Sequence, residues 1–173
     1  MDEAALRALV RDIPDFPTPG VVFKDLTPLF AEPGALAAVV NGMSEPFVGE
    51  SIDRVVGIEA RGFICAAPVA ERLAAGFVPV RKPGKLPWAT AALTYDLEYG
   101  TDTLEIHRDA IAPGQRVLIV DDVLATGGTA AATIGLVEEL GGEVVGLSFL
   151  IELGFLAGRE RIPDRWTRSL LRY

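Results

Sequence analysis

The chain has 173 residues, 50% of them hydrophobic and 23% charged, and this length and composition fit one soluble α/β domain over residues 1–173. Its formal net charge of −8 argues against a general nucleic-acid-binding protein, which needs a basic face. No apolar run approaches the roughly 20 residues of a membrane span, and the acidic start lacks the features of a signal peptide.

The N-terminal part of the chain predicts helices separated by an extended segment. Apolar residues at helical spacing run from Glu3 to Ile13 and indicate a short amphipathic helix. Pro14 and the FPTPG stretch after it hold the backbone extended. Residues 21–23 form an apolar trio with little room for regular structure, and such loop residues are usually buried under their own loop. A further helix is predicted from Gly34 to Val48.

A buried strand from Arg54 to Ile58 comes next, and it leads through the sequence EARGF into a helix from Phe63 to Ala75. Cys65 lies in this helix among apolar neighbours, so we interpret it as a small core residue. As the single cysteine it excludes an internal disulfide and suits a reducing compartment. We therefore expect a cytoplasmic protein.

A basic segment follows the next strand, which runs from Phe77 to Val80. The segment reads RKPGKLP (Arg81–Pro87), and its two prolines and one glycine favour a mobile loop. A charge run of this kind could simply be solvated. In an acidic chain, however, a basic cluster at the carboxyl end of a strand lies at the edge where α/β proteins bind ligands. Closure of such a loop over an anion would supply charge and exclude water.

Alternating and apolar patterns predict more strands in the second half of the chain. Leu93 to Tyr99 and Asp102 to Ile106 alternate across a turn at Gly100 and indicate a hairpin. By pattern alone Glu98, within this hairpin, is a surface residue. Glu143 to Glu152 is a long apolar strand, and the final SLLRY indicates a short edge strand.

The most informative stretch is RVLIVDDVLATGGTAAA (Arg116–Ala132). Its β-branched apolar run has the composition of a strand buried in a parallel sheet, and it ends in Asp121 and Asp122. The small residues from Ala125 to Thr129 then lead into a segment with good helix propensity. Glycines let ligand oxygens approach the backbone closely, and the first amides of a helix have no internal partner. The order strand, small-residue loop and helix therefore predicts a phosphate site.

Asp121 and Asp122 indicate which class of phosphate compound this site binds. A carboxylate pair should repel bare phosphate, but it accepts hydrogen bonds from ribose hydroxyls well, and Mg²⁺ prefers carboxylate and phosphate oxygens. A sugar 5-phosphate with free vicinal hydroxyls satisfies both halves of the motif. The alternative is a structural turn that closes a βα unit. The stretch is neither a Walker loop nor a dinucleotide-binding glycine motif.

VLIVDDVLATGGT resembles the phosphoribosyl-pyrophosphate (PRPP) binding motif of type I phosphoribosyltransferases. Five other stretches narrow the resemblance to the adenine phosphoribosyltransferase family, and it covers the chain from about residue 16 onwards. It implies a type I phosphoribosyltransferase fold, in which a central, mostly parallel sheet is flanked by helices. A small hood, to which residues 1–33 contribute, and a flexible loop complete it. The five stretches are FPTPGVVFKDLTPLF, EARGF, RKPGKLP, YDLEYG and LEIHRDAIAPGQRV.

The resemblance also implies the reaction and its residues. Adenine and PRPP give AMP and pyrophosphate, with Mg²⁺ bound mainly through PRPP and not directly by the protein, in a homodimer. Glu98 would handle the ring proton of the purine, which makes it the catalytic residue. The other implied contacts are to adenine, from Val22, Phe23, Lys24 and Leu153; to pyrophosphate, from Arg61, Arg81, Lys82 and Lys85; to ribose, from Asp121 and Asp122; and to the 5-phosphate, from Ala125, Thr126, Gly127, Gly128 and Thr129.

Two other functions share the PRPP motif. A phosphoribosyltransferase for another nucleobase should not carry FPTPG and LEYG together, as this chain does. A PRPP-sensing regulator should carry an added nucleic-acid-binding segment or a basic face. This chain has neither, so the adenine enzyme is the preferred interpretation.

Overall fold

The structure is a computed structural model that describes residues 1–96 and 100–173. Five α-helices are described: α1 (Glu3–Ala8), α2 (Thr27–Ala31), α3 (Ala35–Ser44), α4 (Gly62–Arg72) and α5 (Gly128–Glu139). The described strands are β1 (Arg11–Pro14), β2 (Val22–Asp25), β3 (Arg54–Ile58), β4 (Gly76–Val80), β5 (Thr90–Asp96), β6 (Thr101–His107), β7 (Arg116–Leu124), β8 (Glu143–Glu152) and β9 (Thr167–Arg172).

A five-stranded sheet in the order β4-β3-β7-β8-β9 forms the centre, and each pair of neighbours in it is parallel. The inner strands β3, β7 and β8 are largely apolar because both faces of the sheet are covered there. This confirms the predicted parallel sheet, with β3 and β8 at their predicted bounds and β9 at an edge. Of the helices in the described part of the chain, none has the length and apolar character needed to cross a membrane.

Two hydrophobic cores lie on opposite faces of this sheet, because successive side chains of a strand point to opposite sides. On β7, Leu118 and Val120 pack in the core that α3 and α4 cover, and Cys65 is fully buried in the same core, as predicted. Val117 and Ile119 pack in the other core, against α5 and the hairpin of β5 and β6. The central strand is therefore held from both sides, and its carboxyl end has a fixed position.

The hairpin of β5 and β6 agrees with the prediction, since the two strands pair antiparallel from Thr90 opposite His107 to Asp96 opposite Thr101. The residues of its predicted tip, 97–99, lie outside the described residues. The hairpin packs on α5 and joins the basic segment through an antiparallel bridge between Arg81 and Glu105. It therefore lies between the basic segment and the start of α5.

Two predictions for the N-terminal region are wrong. The helix predicted over residues 3–13 ends at Ala8, and the trio expected to be irregular contains the start of β2. Strands β1 and β2 pair antiparallel, with Ile13 opposite Phe23. The rings of Phe16 and Phe23 also pack edge to face, with centroids 5.2 Å apart. Pairing between these segments outweighs the helical spacing, which is a weak signal in a stretch this short.

The position of the acidic pair also differs from the prediction. β7 does not end before Asp121 but continues to Leu124, so both aspartates lie within the strand. Asp121 is opposite Phe149 of β8, and Leu124 is opposite Glu152. Pairing with β8 keeps the backbone extended through the acidic residues, although their side chains are unusual in a buried strand.

Candidate active site

A cleft of about 390 Å³ opens at the carboxyl ends of β3 and β7. It brings together side chains from β2, from the turn after β3, from the basic segment, from β7, from the start of α5 and from the end of β8. The cleft is lined by residues that the sequence analysis assigned to adenine, to pyrophosphate, to ribose and to the 5-phosphate. These residues are Val22, Phe23, Lys24, Arg61, Lys82, Asp121, Asp122, Ala125, Thr129 and Leu153.

The remaining predicted residues lie around this cleft. Thr126 and Gly127 line a smaller neighbouring cavity of about 70 Å³, which shares Asp121, Ala125 and Thr129 with the cleft. Gly128 begins α5 next to the ring of Tyr95. Arg81 and Lys85 form ion pairs with Glu59, which is itself in the cleft wall. Glu98, the predicted catalytic residue, lies outside the described residues.

The loop between β7 and α5 has the properties of an anion site. Gly127 has a φ of 82°, and a Cβ added to it would collide with the carbonyl of Gly158. Glycine is therefore required there for conformation and for packing. Within residues 1–96 and 100–173, the backbone amides from Ala125 to Ala130 donate no hydrogen bond to the protein. The first helical amides are thus free to bind an anion, with the positive end of the α5 dipole behind them.

The acidic pair is deeply buried at the floor of the cleft. Asp121 Oδ1 accepts a hydrogen bond from the Asp122 amide at 2.9 Å. Burial, and then the charge of Asp122, raise the pKa of Asp121 well above its ordinary value. Burial also raises the pKa of Asp122, although the charge of Arg61 opposes this. A Cβ on Gly62, at the start of α4, would collide with Asp121 Oδ1, so a glycine there leaves room for the carboxylate.

Arg61 contacts two other parts of the site. Its Nε lies 2.7 Å from Asp122 Oδ2, and its guanidinium carbon lies 5.2 Å from the centre of the Phe23 ring. It occupies the N-cap position of α4, directly after the turn that leaves β3. The residue that the resemblance assigned to pyrophosphate is therefore adjacent to those assigned to ribose and to adenine.

Glu59 organises the basic segment, and the sequence analysis gave it no role. Its carboxylate accepts hydrogen bonds from the Lys82 amide at 3.0 Å and from Arg81 Nε at 3.2 Å, and it pairs with Lys85 Nζ. Burial alone would raise the pKa of Glu59, but these donors, led by Lys85, lower it. The signal in the sequence was an acidic residue directly after a buried strand, in a chain with a nearby basic cluster.

The β2 strand also lines the cleft, through Val22, Phe23 and Lys24. One edge of β2 pairs with β1, and its other edge has no strand partner in the described part of the chain. Lys24 Nζ lies 2.7 Å from Asp12 Oδ1 and 4.3 Å from the centre of the Tyr173 ring. The Lys24 side chain is therefore occupied by contacts with Asp12 and Tyr173. The backbone groups of Lys24 can still bind a ligand. Leu153 directly follows β8 and also lines the cleft.

This site combines free helix amides, an acidic pair and a basic segment at one edge of a parallel sheet. Residues 29–168 match the family model described as "Phosphoribosyl transferase domain". The chain is therefore a member of the phosphoribosyltransferases, as the resemblance indicated. Among curated proteins it is 63% identical to the adenine phosphoribosyltransferase of Thermobifida fusca, over 93% of this chain and 92% of that one. Identity to the Acidothermus cellulolyticus enzyme is 61%, over 95% and 93%. The chain belongs to the adenine phosphoribosyltransferase family.

Solved structures of the same family share the whole fold. The adenine phosphoribosyltransferase of Rhodothermus marinus is 55% identical, with a TM-score of 0.94 over 99% of this chain and 98% of that one. The Giardia lamblia enzyme, complexed with 9-deazaadenine, is 41% identical, with a TM-score of 0.94 over 100% and 98%. These likenesses confirm the predicted type I phosphoribosyltransferase fold.

Proposed function

We propose that this chain transfers the 5-phosphoribosyl group of PRPP to adenine in purine salvage, giving AMP and pyrophosphate. The observation that carries this proposal is the row of backbone amides from Ala125 to Ala130, which have no partner among the described residues, beside two buried carboxylates. The relatives support the choice of base. The Giardia lamblia enzyme was crystallised with 9-deazaadenine, and the Saccharomyces cerevisiae enzyme with adenine and an imino-altritol bisphosphate.

Phosphate and ribose are bound by the motif of β7 and α5. The amides of residues 125–129 hold the 5-phosphate, because helix-start amides bind anions without needing a cation. Asp121 and Asp122 accept hydrogen bonds from the ribose hydroxyls. The raised pKa values of Asp121 and Asp122 show that burial has removed these carboxylates from water. Hydrogen bonds from the ribose hydroxyls would replace part of that lost hydration and stabilise the charged carboxylates.

Pyrophosphate leaves toward the cations on the other side of the cleft. Displacement at the anomeric carbon builds positive charge on the ribose ring and negative charge on the leaving group, as in glycoside hydrolysis. Cations that already stand around the cleft stabilise that negative charge without large reorganisation. They come from the start of α4 and from the basic segment: Arg61, Arg81, Lys82 and Lys85.

Mg²⁺ would be held mainly by oxygens of PRPP. No cluster of three or more His, Cys, Asp or Glu side chains in the described part of the chain could hold a metal ion. Two of the cleft carboxylates, Glu59 and Asp122, instead have cationic partners. This arrangement fits a metal ion whose ligands come mainly from the substrate, with at most a few from the protein. When bound, Mg²⁺ neutralises part of the charge on the leaving pyrophosphate.

Adenine binds between β2 and Leu153. Phe23 and Leu153 pack on the two faces of the purine, while backbone groups of Val22 and Lys24 pair with its hydrogen-bonding edge. A 6-oxopurine exchanges donor and acceptor at this edge, and the unpaired buried group that results costs about 1–3 kcal/mol. Glu98 handles the ring proton of the base.

We further expect residues 1–173 to act as one domain, with residues 1–33 contributing to the purine-binding hood. The active form is expected to be a cytoplasmic homodimer.

One assay tests the reaction. Purified protein is mixed with Mg²⁺ and PRPP, and pyrophosphate release is followed with adenine, hypoxanthine, guanine, xanthine and a pyrimidine base in turn. Release with adenine alone is the expected result. Release only with another base would instead identify a sister enzyme. PRPP binding without release for any base would identify a regulator.

A further inference from the structure

A chain of side-chain hydrogen bonds crosses the hairpin from the basic segment to the first turn of α5. At its centre is Asp102 of β6, whose side chain is 24% exposed and whose Oδ2 forms an ion pair with Lys82 Nζ. The Tyr95 hydroxyl donates to the same oxygen at 3.2 Å. That hydroxyl also lies 3.1 Å from Thr129 Oγ1. Asp102 and Tyr95 therefore connect residues from two different anion-binding regions.

Asp102 is held from several directions. Its Oδ1 accepts a hydrogen bond from the Thr103 amide at 2.8 Å. The ring of Tyr95 packs at the start of α5, where a Cβ on Gly128 would lie 3.3 Å from it. Burial acts to raise the pKa of Asp102, but Lys82 and the Thr103 amide lower it, so the carboxylate stays ionised. Burial also raises the pKa of Tyr95, which keeps its hydroxyl a donor.

Lys82 needs such a partner because of its own flexibility. Lys82 lines the cleft and carries its ammonium group on a four-carbon stem, and fixing that stem costs conformational entropy whenever an anion binds. An ammonium group has three donors, so an ion pair with Asp102 leaves others free for an anion in the cleft. A fixed carboxylate can therefore position the Lys82 ammonium group and still leave some of its N–H donors free.

We propose that Asp102 is a positioning residue, which holds the Lys82 ammonium group at the rim of the cleft to meet the pyrophosphoryl group of PRPP. Tyr95 fixes Asp102 against the first turn of α5. This inference rests on the proposed function, since it takes Lys82 as a pyrophosphate ligand. It gives a role to side chains to which the sequence analysis assigned none.

The test is a double-mutant cycle with magnesium pyrophosphate as the calorimetric probe and PRPP and adenine as substrates. Asp102→Asn keeps the shape of the side chain and removes its charge. The pyrophosphate Kd and the PRPP KM should rise about fivefold, the scale of a partly exposed charge pair, while the adenine KM changes less than about twofold. In the Lys82→Ala background the same change should add almost nothing, because there is no longer an ammonium group to position.

Two further variants complete the experiment. Tyr95→Phe keeps the ring beside Gly128 and removes the hydroxyl, so it should weaken pyrophosphate binding about twofold. If Asp102→Asn does not fold, Tyr95→Phe tests the proposal in its place. The matched control is Thr94→Val, since Thr94 is exposed on the same hairpin and its hydroxyl lies 2.9 Å from that of Thr103. This control should behave as the wild type.

Unchanged or tighter pyrophosphate binding in Asp102→Asn would overturn the proposal. An equal loss in the Lys82→Ala background would do so too, because it would mean that Asp102 acts on something other than Lys82. Failure of the proposed function is seen separately, as a wild-type protein that releases no pyrophosphate from PRPP and adenine.

Discussion

Arg61 lies between Asp122 and Phe23, with its Nε 2.7 Å from the carboxylate and its guanidinium 5.2 Å from the ring centre. A carboxylate oxygen has more than one acceptor position, so Asp122 can keep this contact and still accept a ribose hydroxyl. One cation therefore orients the carboxylate that we assign to ribose and packs on the ring that we assign to adenine.

Arg61→Ala should raise the PRPP KM about tenfold or more, because the hydrogen bond that we assign from Arg61 to the charged pyrophosphoryl group of PRPP would contribute about 1.5–3 kcal/mol. It should also raise the pKa of Asp122 further, since the Arg61 charge opposes the effect of burial there. Steady-state kinetics over a range of PRPP concentrations measure the first effect. Arg61→Lys retains the charge without the planar fork and should be intermediate. A wild-type KM in Arg61→Ala would contradict the assignment.

Asp122→Asn should weaken PRPP binding about tenfold and leave the fold intact. Burial already raises the pKa of Asp122, so a neutral amide of the same shape suits the buried position. Calorimetric titration with PRPP measures the affinity, and a circular dichroism melt checks the fold. If the affinity is unchanged in a folded variant, the acidic pair does not hold the ribose.

Gly62→Ala tests the packing between α4 and the acidic pair. The added Cβ would collide with Asp121 Oδ1, so the carboxylate or the helix must shift. We expect a loss of about 1–3 kcal/mol in the free energy of unfolding, measured in urea, together with a higher PRPP KM.

Gly135→Ala in α5 is the matched control for Gly62→Ala. There the added Cβ would lie 2.7 Å from Leu93 Cδ1, the far end of a flexible side chain, and alanine favours the helix. Its stability should change by less than about 1 kcal/mol. Equal losses in the two variants would show that the Asp121 contact has no special effect.

Glu152→Gln should change the stability in acid. Arg159 donates to both oxygens of Glu152 at 2.8 Å, and Ser169 donates at 2.6 Å. These partners, led by Arg159, lower the pKa of Glu152 from 4.5 to about 2. A carboxyl with a lowered folded pKa adds stability above its unfolded pKa, and this is lost as the pH falls from about 4.5 toward 2. The variant should therefore be about 2–3 kcal/mol less stable at neutral pH, with a smaller decline in acid.

Denaturant melts at a series of pH values measure this difference. Glu143→Gln, at the exposed start of the same strand, serves as the control and should stay within about 0.5 kcal/mol of the wild type. A Glu152→Gln curve parallel to that of the wild type between pH 5 and pH 2 would refute the prediction.

Glu98→Ala should lower kcat about 10²-fold or more, the usual scale of general acid–base assistance. The prediction comes from the family resemblance, since Glu98 lies outside the described residues. Turnover with saturating adenine and PRPP measures it, and the PRPP affinity should stay near that of the wild type. Near-normal turnover would remove Glu98 from the chemistry.

The sequence by itself determined the framework of this protein. Strands β3 and β8 were predicted with their observed bounds, because a strand buried on both faces reads as a local apolar run. The loop from Ala125 to Thr129 was predicted as an anion site, because the glycines and the helix start form one continuous segment. Site residues that lie together in one continuous segment could therefore be predicted from the sequence alone.

Only the tertiary structure decided how separate segments meet. The pairing of β1 with β2 replaced part of a predicted helix, and pairing with β8 extended β7 past the acidic residues. Glu59 and Asp102 are ordinary acidic residues in the sequence, and their importance comes from lysines and an arginine about 20 or more positions away. Such ion pairs have no periodic signal, because folding brings their members together only after the strands between them have found their partners.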